Sequence, residues 1–177
     1  MGNENADICR EIEYYNGLPC VFEDFIDMEH ELSDGVISLA CRERHPENAE
    51  KKFVPAYMFD ICVGDEKVGV VNLRVGYTEG LYYAGQIGYA VEEAHRGWGY
   101  AVRACRLAAR LARAHGMTKL IISNDKDNRA SVRVCEKLGA RLVRTAPLPE
   151  WHDLYGMGQR FTRACLHQTP GLNNKSK

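Results

Sequence analysis

Two glycines lie in a segment that reads His-Arg-Gly-Trp-Gly-Tyr-Ala, residues 95–101, between an apolar run and an alanine-rich stretch. Gly97 and Gly99 allow the backbone to turn sharply and to approach a ligand closely. Free amides at the start of the following helix favour an anion, because the helix dipole is positive there. Arg96 adds a formal positive charge. The order strand, glycine loop, helix therefore predicts a phosphate cradle.

The residues around these glycines limit the kind of phosphate site. A P-loop places Gly-Lys-Ser/Thr after its glycines, and a dinucleotide fingerprint needs a third glycine and a later acidic residue. Neither pattern is present. The spacing that fits is Arg-x-x-Gly-x-Ala, from Arg96 to Ala101. Taken alone, the segment is equally compatible with a plain turn.

A second, longer motif begins about thirty residues downstream. It reads Asn-x-x-Ser and then Glu-Lys-Leu-Gly-Ala, from Asn128 to Ala140. Together with the glycine loop, it closely resembles the GNAT superfamily of N-acetyltransferases. The details look most like the group that acetylates the N-termini of ribosomal proteins. The clear resemblance covers residues 57–143.

The resemblance implies a fold and a co-substrate. The fold is α/β (α+β): a mixed, mostly antiparallel sheet flanked by helices, in which a splayed parallel strand pair holds acetyl-CoA. The glycine loop would bind the pyrophosphate, and the preceding strand and the asparagine motif would hold the pantetheine arm. The expected cofactor-binding residues are Ala90, Val91, Arg96, Gly97, Trp98, Gly99, Tyr100, Ala101, Asn124, Asn128 and Ser131. Asn128 is also a candidate N-cap, and for Asn124 contact with the cofactor and contact with the acceptor are both open.

The catalytic groups are less well marked. Many members of the superfamily place a tyrosine four residues after the Ser/Ala position, where it protonates the departing thiolate, and here that position is Cys135. A thiol is a weak donor, so packing is the alternative role for Cys135, and Tyr155 in a late loop is another candidate acid. Glu92 is a candidate base for the amine, with a chain of water molecules as its alternative. A backbone amide within residues 89–91 would donate to the oxyanion.

The acceptor implied by the resemblance is a primary amine of a small molecule or a peptide, attacking the thioester directly in a ternary complex. Aromatic side chains near the predicted cleft ends would suit such an acceptor, but each is equally an ordinary core or loop residue. They are Tyr82, Tyr83, Tyr89, Trp98, Trp151 and Tyr155. The competing hypothesis is a non-catalytic CoA-binding sensor or interaction module on the same fold.

The composition limits the choice of partner and compartment. The net charge is −1 and the chain has no long apolar run, so nothing favours nucleic acid or a membrane. Seven widely spaced cysteines without a Cys-x-x-Cys motif argue against a disulfide framework or a zinc site. We therefore expect no metal and a reducing, cytoplasmic compartment. A homodimer is left open.

The length predicts a single acetyltransferase domain over residues 1–168, with a loose lead-in over 1–19 and a disordered tail over 169–177. Hydrophobic patterning predicts helices over 99–115 and 129–138. Strands are predicted over 36–41, 57–63, 67–75, 81–92, 120–123, 141–145 and 161–166. The four arginines of the first helix form a stripe, which we interpret as a solvated face rather than a polyanion-binding surface because the rest of the chain is not basic.

Overall fold

A computed structural model of the chain describes residues 4–28, 30–125 and 127–169. In chain order the elements are α1 (Glu4–Asn16), β1 (Ser38–His45), β2 (Ala56–Val63), β3 (Glu66–Arg74), α2 (Glu79–Ala84), β4 (Ile87–Val91), α3 (Tyr100–Ala114), β5 (Lys119–Asn124), α4 (Arg129–Lys137), β6 (Arg141–Pro147), α5 (Asp153–Gly156) and β7 (Phe161–Gln168). Among these described residues no helix is long and apolar enough to cross a membrane.

The first sheet contains β1, β2, β3 and β4 in that order, and each neighbouring pair is antiparallel. The predicted hairpin of β2 and β3 is confirmed. Tyr57, Phe59 and Ile61 alternate inward along β2 and are buried. Because side chains in a strand point to opposite faces with period two, these residues line the core while their neighbours face outward.

The second sheet contains three strands in the order β5, β7, β6, again antiparallel throughout. The predicted mixed architecture, mostly antiparallel strands flanked by helices, is therefore confirmed. The described residues form no parallel ladder. One isolated bridge links the two sheets, and it joins Gly85, two residues before β4, to Ile122 of β5. The two sheets part from each other at that point.

Helix α3 packs across the first sheet through small side chains. Ala104, Ala108 and Ala112 are completely buried, and their small size lets the helix axis approach the strands closely. On the outer face, Arg103 forms an ion pair with Asp34 at 2.7 Å, and Arg106 donates to the Lys137 carbonyl at 3.0 Å. These contacts are those of the solvated face of an amphipathic helix.

The structure corrects three expectations about elements. The lead-in is not loose, because α1 occupies most of it and packs on α2 through Ile8, Ile12 and Tyr15. The predicted strand over 81–92 is helical in its first part, where Thr78 caps α2 by accepting the Leu81 N–H at 3.3 Å. The predicted tail does not begin at Thr169, which bonds to the Met117 carbonyl through its hydroxyl at 2.8 Å; residues 170–177 lie outside the described residues.

A buried histidine closes the C-terminal end of α3. His115 is 2% exposed, and its Nδ1 lies 3.2 Å from the Val21 carbonyl. Because that carbonyl can only accept, Nδ1 carries the proton, and Nε2 accepts from the Tyr57 hydroxyl at 2.8 Å. Burial lowers the pKa of His115, so the ring is neutral in the folded protein near pH 7.

Because of His115, we expect the free energy of unfolding to decrease as the pH is lowered below about 6.5, the ordinary histidine pKa. The unfolded chain binds a proton there, while the folded chain does not until the pH is lower, so the free energy of unfolding decreases by up to about 1.4 kcal/mol per pH unit. Urea unfolding of the wild type and of His115→Gln between about pH 7 and pH 5 measures this effect as a difference. Parallel stability curves for the two proteins would contradict it.

Candidate active site

A cavity of about 660 Å³ opens where β4 and β5 part. Its walls come from β4, the glycine loop, the first turn of α3, the end of β5 and the first turns of α4. Ten of the predicted cofactor residues line it: Ala90, Val91, Arg96, Gly97, Gly99, Tyr100, Ala101, Asn124, Asn128 and Ser131. The chain thus brings together residues more than forty positions apart around one space.

The strands diverge at Gln86, a completely buried residue just before β4. Its Oε1 accepts the Ile121 N–H at 2.7 Å, while its Nε2 donates to the Gly76 carbonyl at 3.1 Å and to the Tyr15 hydroxyl. One amide therefore satisfies groups on β5, on the loop after β3 and on α1. Beyond it, β4 is the last strand of its sheet and presents a free edge to the cavity.

The glycine loop has the backbone that its sequence predicts. Gly97 and Gly99 adopt φ values of 88° and 81°, which only glycine reaches without strain. A side chain built on either would meet nothing within 4 Å, so both border open space. The first backbone bond of α3 runs from the Arg103 N–H to the Gly99 carbonyl, which leaves the preceding amides free to bind a ligand. Arg96 donates through Nε to the Val91 carbonyl at 3.1 Å.

The opposite wall carries two asparagines. Asn128 caps α4 by accepting the Ser131 N–H at 3.1 Å, as predicted. Asn124 is 7% exposed and donates to the Cys135 sulfur at 3.4 Å. Its Oδ1 is buried and has no hydrogen-bond partner among the described residues. A buried carbonyl oxygen without a partner is costly, and here it belongs to a residue that lines the cavity, so an N–H group of a ligand would satisfy it.

Four predicted site residues do not line the cavity. Trp98 is 72% exposed at the tip of the loop, and Glu92 lies on the surface beyond β4. Tyr155 packs against the hydrophobic cluster that α1 and α2 share, with the Arg160 guanidinium 4.1 Å from its ring centre. Cys135 is 2% exposed, and its hydrogen bond with Cys165, together with burial, raises its pKa. The catalytic roles assigned to Cys135, Tyr155 and Glu92 stay predictions that this geometry does not support.

Two side chains that line the cavity, those of Tyr89 and His95, were given no catalytic or cofactor-binding role from the sequence. The Tyr89 hydroxyl lies 2.9 Å from the Ser131 hydroxyl, and burial raises the pKa of Tyr89. His95 also lines the cavity, with Nε2 3.4 Å from a Glu66 carboxylate oxygen. The available signal for Tyr89 was its position on the cofactor strand next to Ala90, but its hydroxyl contact depends on where α4 lies.

A model of the acetyltransferase (GNAT) domain family matches residues 24–141. The chain belongs to the GNAT acetyltransferase family. The matched segment contains the glycine loop and the asparagine motif but not α1, which lies before it. The comparison with curated proteins found no match.

Solved structures of GNAT acetyltransferases share the fold. RimL, a ribosomal L7/L12 alpha-N-protein acetyltransferase in complex with coenzyme A, is 21% identical over 67% of this chain and 64% of its own, with a TM-score of 0.50. RimJ from Mycobacterium smegmatis, in complex with a CoA disulfide, is 18% identical over 71% of this chain and 58% of its own, with a TM-score of 0.53. An acetyl transferase from Salmonella typhimurium that modifies the N-terminal serine of L7/L12 is 20% identical over 68% and 67%, with a TM-score of 0.51. This chain thus aligns with less than two thirds of the CoA-bound RimL chain and of the RimJ chain.

The residues present fit the acetyl-CoA that the GNAT family implies. The loop offers free amides beside open space, as a pyrophosphate requires. The free edge of β4 offers main-chain groups to an extended amide-containing arm, in the way a sheet edge accepts an added strand. The unpartnered Oδ1 of Asn124 offers an acceptor to an amide N–H on the opposite side.

Proposed function

We propose that the protein is an acetyl-CoA-dependent N-acetyltransferase that moves acetyl to a primary amine by direct attack in a ternary complex. The observation that carries this proposal is one cavity between two parted strands, lined on one side by the glycine loop and on the other by Asn124, Asn128 and Ser131. Family membership supports the reaction class.

Each wall has a separate part in the proposed reaction. The amides of residues 97–101 and the Arg96 side chain bind the pyrophosphate, and the main chain of Ala90 and Val91 orients the pantetheine arm. Acetyl-CoA, when bound, supplies the acetyl group as an activated thioester. A backbone amide on the free edge of β4 within residues 89–91 stabilises the developing oxyanion, because its donor is fixed in place before the reaction.

The proposed acceptor is the amine of a peptide or protein rather than of a small molecule. Four of the similar solved structures have names that specify acetylation of a ribosomal protein. A peptide that begins with serine is therefore the first acceptor to test. We also infer a cytoplasmic location from seven free cysteines, and we keep residues 1–168 as one domain and a homodimer as predictions.

A non-catalytic CoA-binding module is the second candidate. It is favoured by one observation: none of the three predicted catalytic residues lines the cavity. Transfer of radiolabelled acetyl to any member of a panel of peptides and amines distinguishes the candidates. Binding of CoA without transfer to any acceptor would support the module and contradict the enzyme.

We expect acetyl-CoA and CoA to stabilise the protein, whereas ATP and NAD do not. At about one hundred times the dissociation constant a ligand adds roughly 2.7 kcal/mol of stability. For a chain of this length that corresponds to an increase in Tm of about 5–11 °C. A thermal melt with each ligand measures it, and equal melting temperatures with and without both CoA species would overturn the cofactor assignment.

A further inference from the structure

We propose that the Tyr89 hydroxyl is the acid that protonates the departing CoA thiolate in this protein. The inference rests on the proposed function and assigns a role that neither the sequence motifs nor the family match gives to Tyr89. It rests on the position of the hydroxyl in the cavity, on its partner and on the location of Cys135.

The Tyr89 side chain joins the two walls of the cavity. It leaves β4, and its oxygen lies 2.9 Å from the Ser131 oxygen in the first turn of α4. Both residues line the cavity. A proton donor is therefore fixed at the start of α4, the helix that the GNAT resemblance places beside the thiol end of the cofactor.

Cys135 does not supply a donor at the place where its position in the motif would put one. It lies one helical turn after Ser131, but its side chain is 2% exposed and points to Asn124 and Cys165 rather than into the cavity. The Tyr89 hydroxyl reaches α4 from the facing strand, one turn before Cys135, where it meets Ser131. The phenol that the family motif would place on the helix is here supplied by the strand.

The surroundings keep Tyr89 protonated until it is needed. Burial raises its pKa, so the phenol is neutral across the physiological range. In the step proposed, the C–S bond breaks and its electron pair goes to sulfur, which receives the Tyr89 proton and becomes the CoA thiol. The phenolate oxygen then regains a proton from the Ser131 hydroxyl, which is in turn reprotonated from solvent, and the proton lost by the amine goes to solvent.

The test titrates the thiol of bound CoA in the wild type and in Tyr89→Phe, with desulfo-CoA as the blank. It follows the ultraviolet absorbance of the thiolate and needs no acceptor. A hydrogen-bond donor to the sulfur stabilises the thiolate. We therefore expect Tyr89→Phe to lower the acid dissociation constant of the bound thiol about tenfold. The affinity for CoA should change less than about threefold, because the phenyl ring remains. With a serine peptide as acceptor, we expect kcat to fall about 100-fold and KM for acetyl-CoA to stay unchanged.

The matched control is Tyr77→Phe. Tyr77 is also a partly buried tyrosine with a raised pKa, and its hydroxyl donates to the Lys119 carbonyl at 2.6 Å, away from the cavity. The Tyr77→Phe variant should have the same thiol acidity and the same kcat as the wild type. Equal thiol acidity in the wild type and Tyr89→Phe would overturn the role of Tyr89 while leaving the proposed function intact. Failure of the wild type to bind CoA would instead overturn the proposed function.

Discussion

Replacing Gly99 with glutamate is expected to abolish binding of acetyl-CoA and CoA. Gly99 has φ 81° and a Cβ there would project into open space beside the free amides of the loop. A carboxylate about 4 Å from a phosphate has a repulsion energy of about 4 kcal/mol where the two charges are partly shielded from water. That energy corresponds to a loss of about 1000-fold in affinity. Isothermal titration with CoA measures the change.

Two further variants separate charge from backbone strain. Gly99→Ala adds only the strain of a positive φ and should retain measurable binding. Gly158→Glu places the same charge at another glycine with a positive φ, 95°, that borders open space outside the cavity, and its affinity should match the wild type. Normal CoA binding by Gly99→Glu would show that the loop is not the anion site.

Replacing Gln86 with leucine is expected to lower the stability by about 3 kcal/mol. The change leaves the Ile121 N–H, the Gly76 carbonyl and the Tyr15 hydroxyl without their buried partner. Each unsatisfied buried group costs about 1–3 kcal/mol, with partial relief from relaxation. The Tm should decrease by roughly 6–12 °C, and urea unfolding provides the free energy.

The matched control for this variant is Gln159→Leu. Gln159 donates to the Phe161 carbonyl at 2.8 Å in a solvent-exposed hydrogen bond, so its loss should change stability by less than about 0.5 kcal/mol. Similar losses in both variants would mean that the buried amide does not hold the strands at the point where they part.

The elements that position the cofactor were predictable because local signals agree there. The two glycines require positive φ, the alanines of α3 repeat with helical spacing, and Asn128 is a good N-cap before a helical pattern. These features specify the loop, helix and cap within one or two residues. The pairing of β2 with β3 was also local, because a short turn of polar residues joins them.

The remaining parts depend on contacts between distant residues. The apolar residues of α1 repeat at helical spacing, but they lie among acidic residues that weaken the pattern: Ile8, Ile12 and Tyr15. They form a hydrophobic cluster with residues of α2, and this contact stabilises α1. The motif position of Cys135 indicated an acid, yet the packing of α4 against β5 turns its thiol toward Asn124 and Cys165. The Tyr89 hydroxyl meets Ser131 because β4 faces α4 across the cavity, a contact that the spacing of residues in the sequence does not specify.

The division of the strands into two sheets has a mechanical consequence. Among the described residues, the bridge between Gly85 and Ile122 is the single ladder contact that joins the four-stranded half to the three-stranded half, with helix packing and the Gln86 amide in support. A ligand that fills the cavity would contact both halves at once and would link them mechanically. Without a ligand, the two halves can open locally and independently of each other. With the cavity filled, hydrogen exchange at the ends of β4 and β5 would become slower, and the two ends would exchange at similar rates.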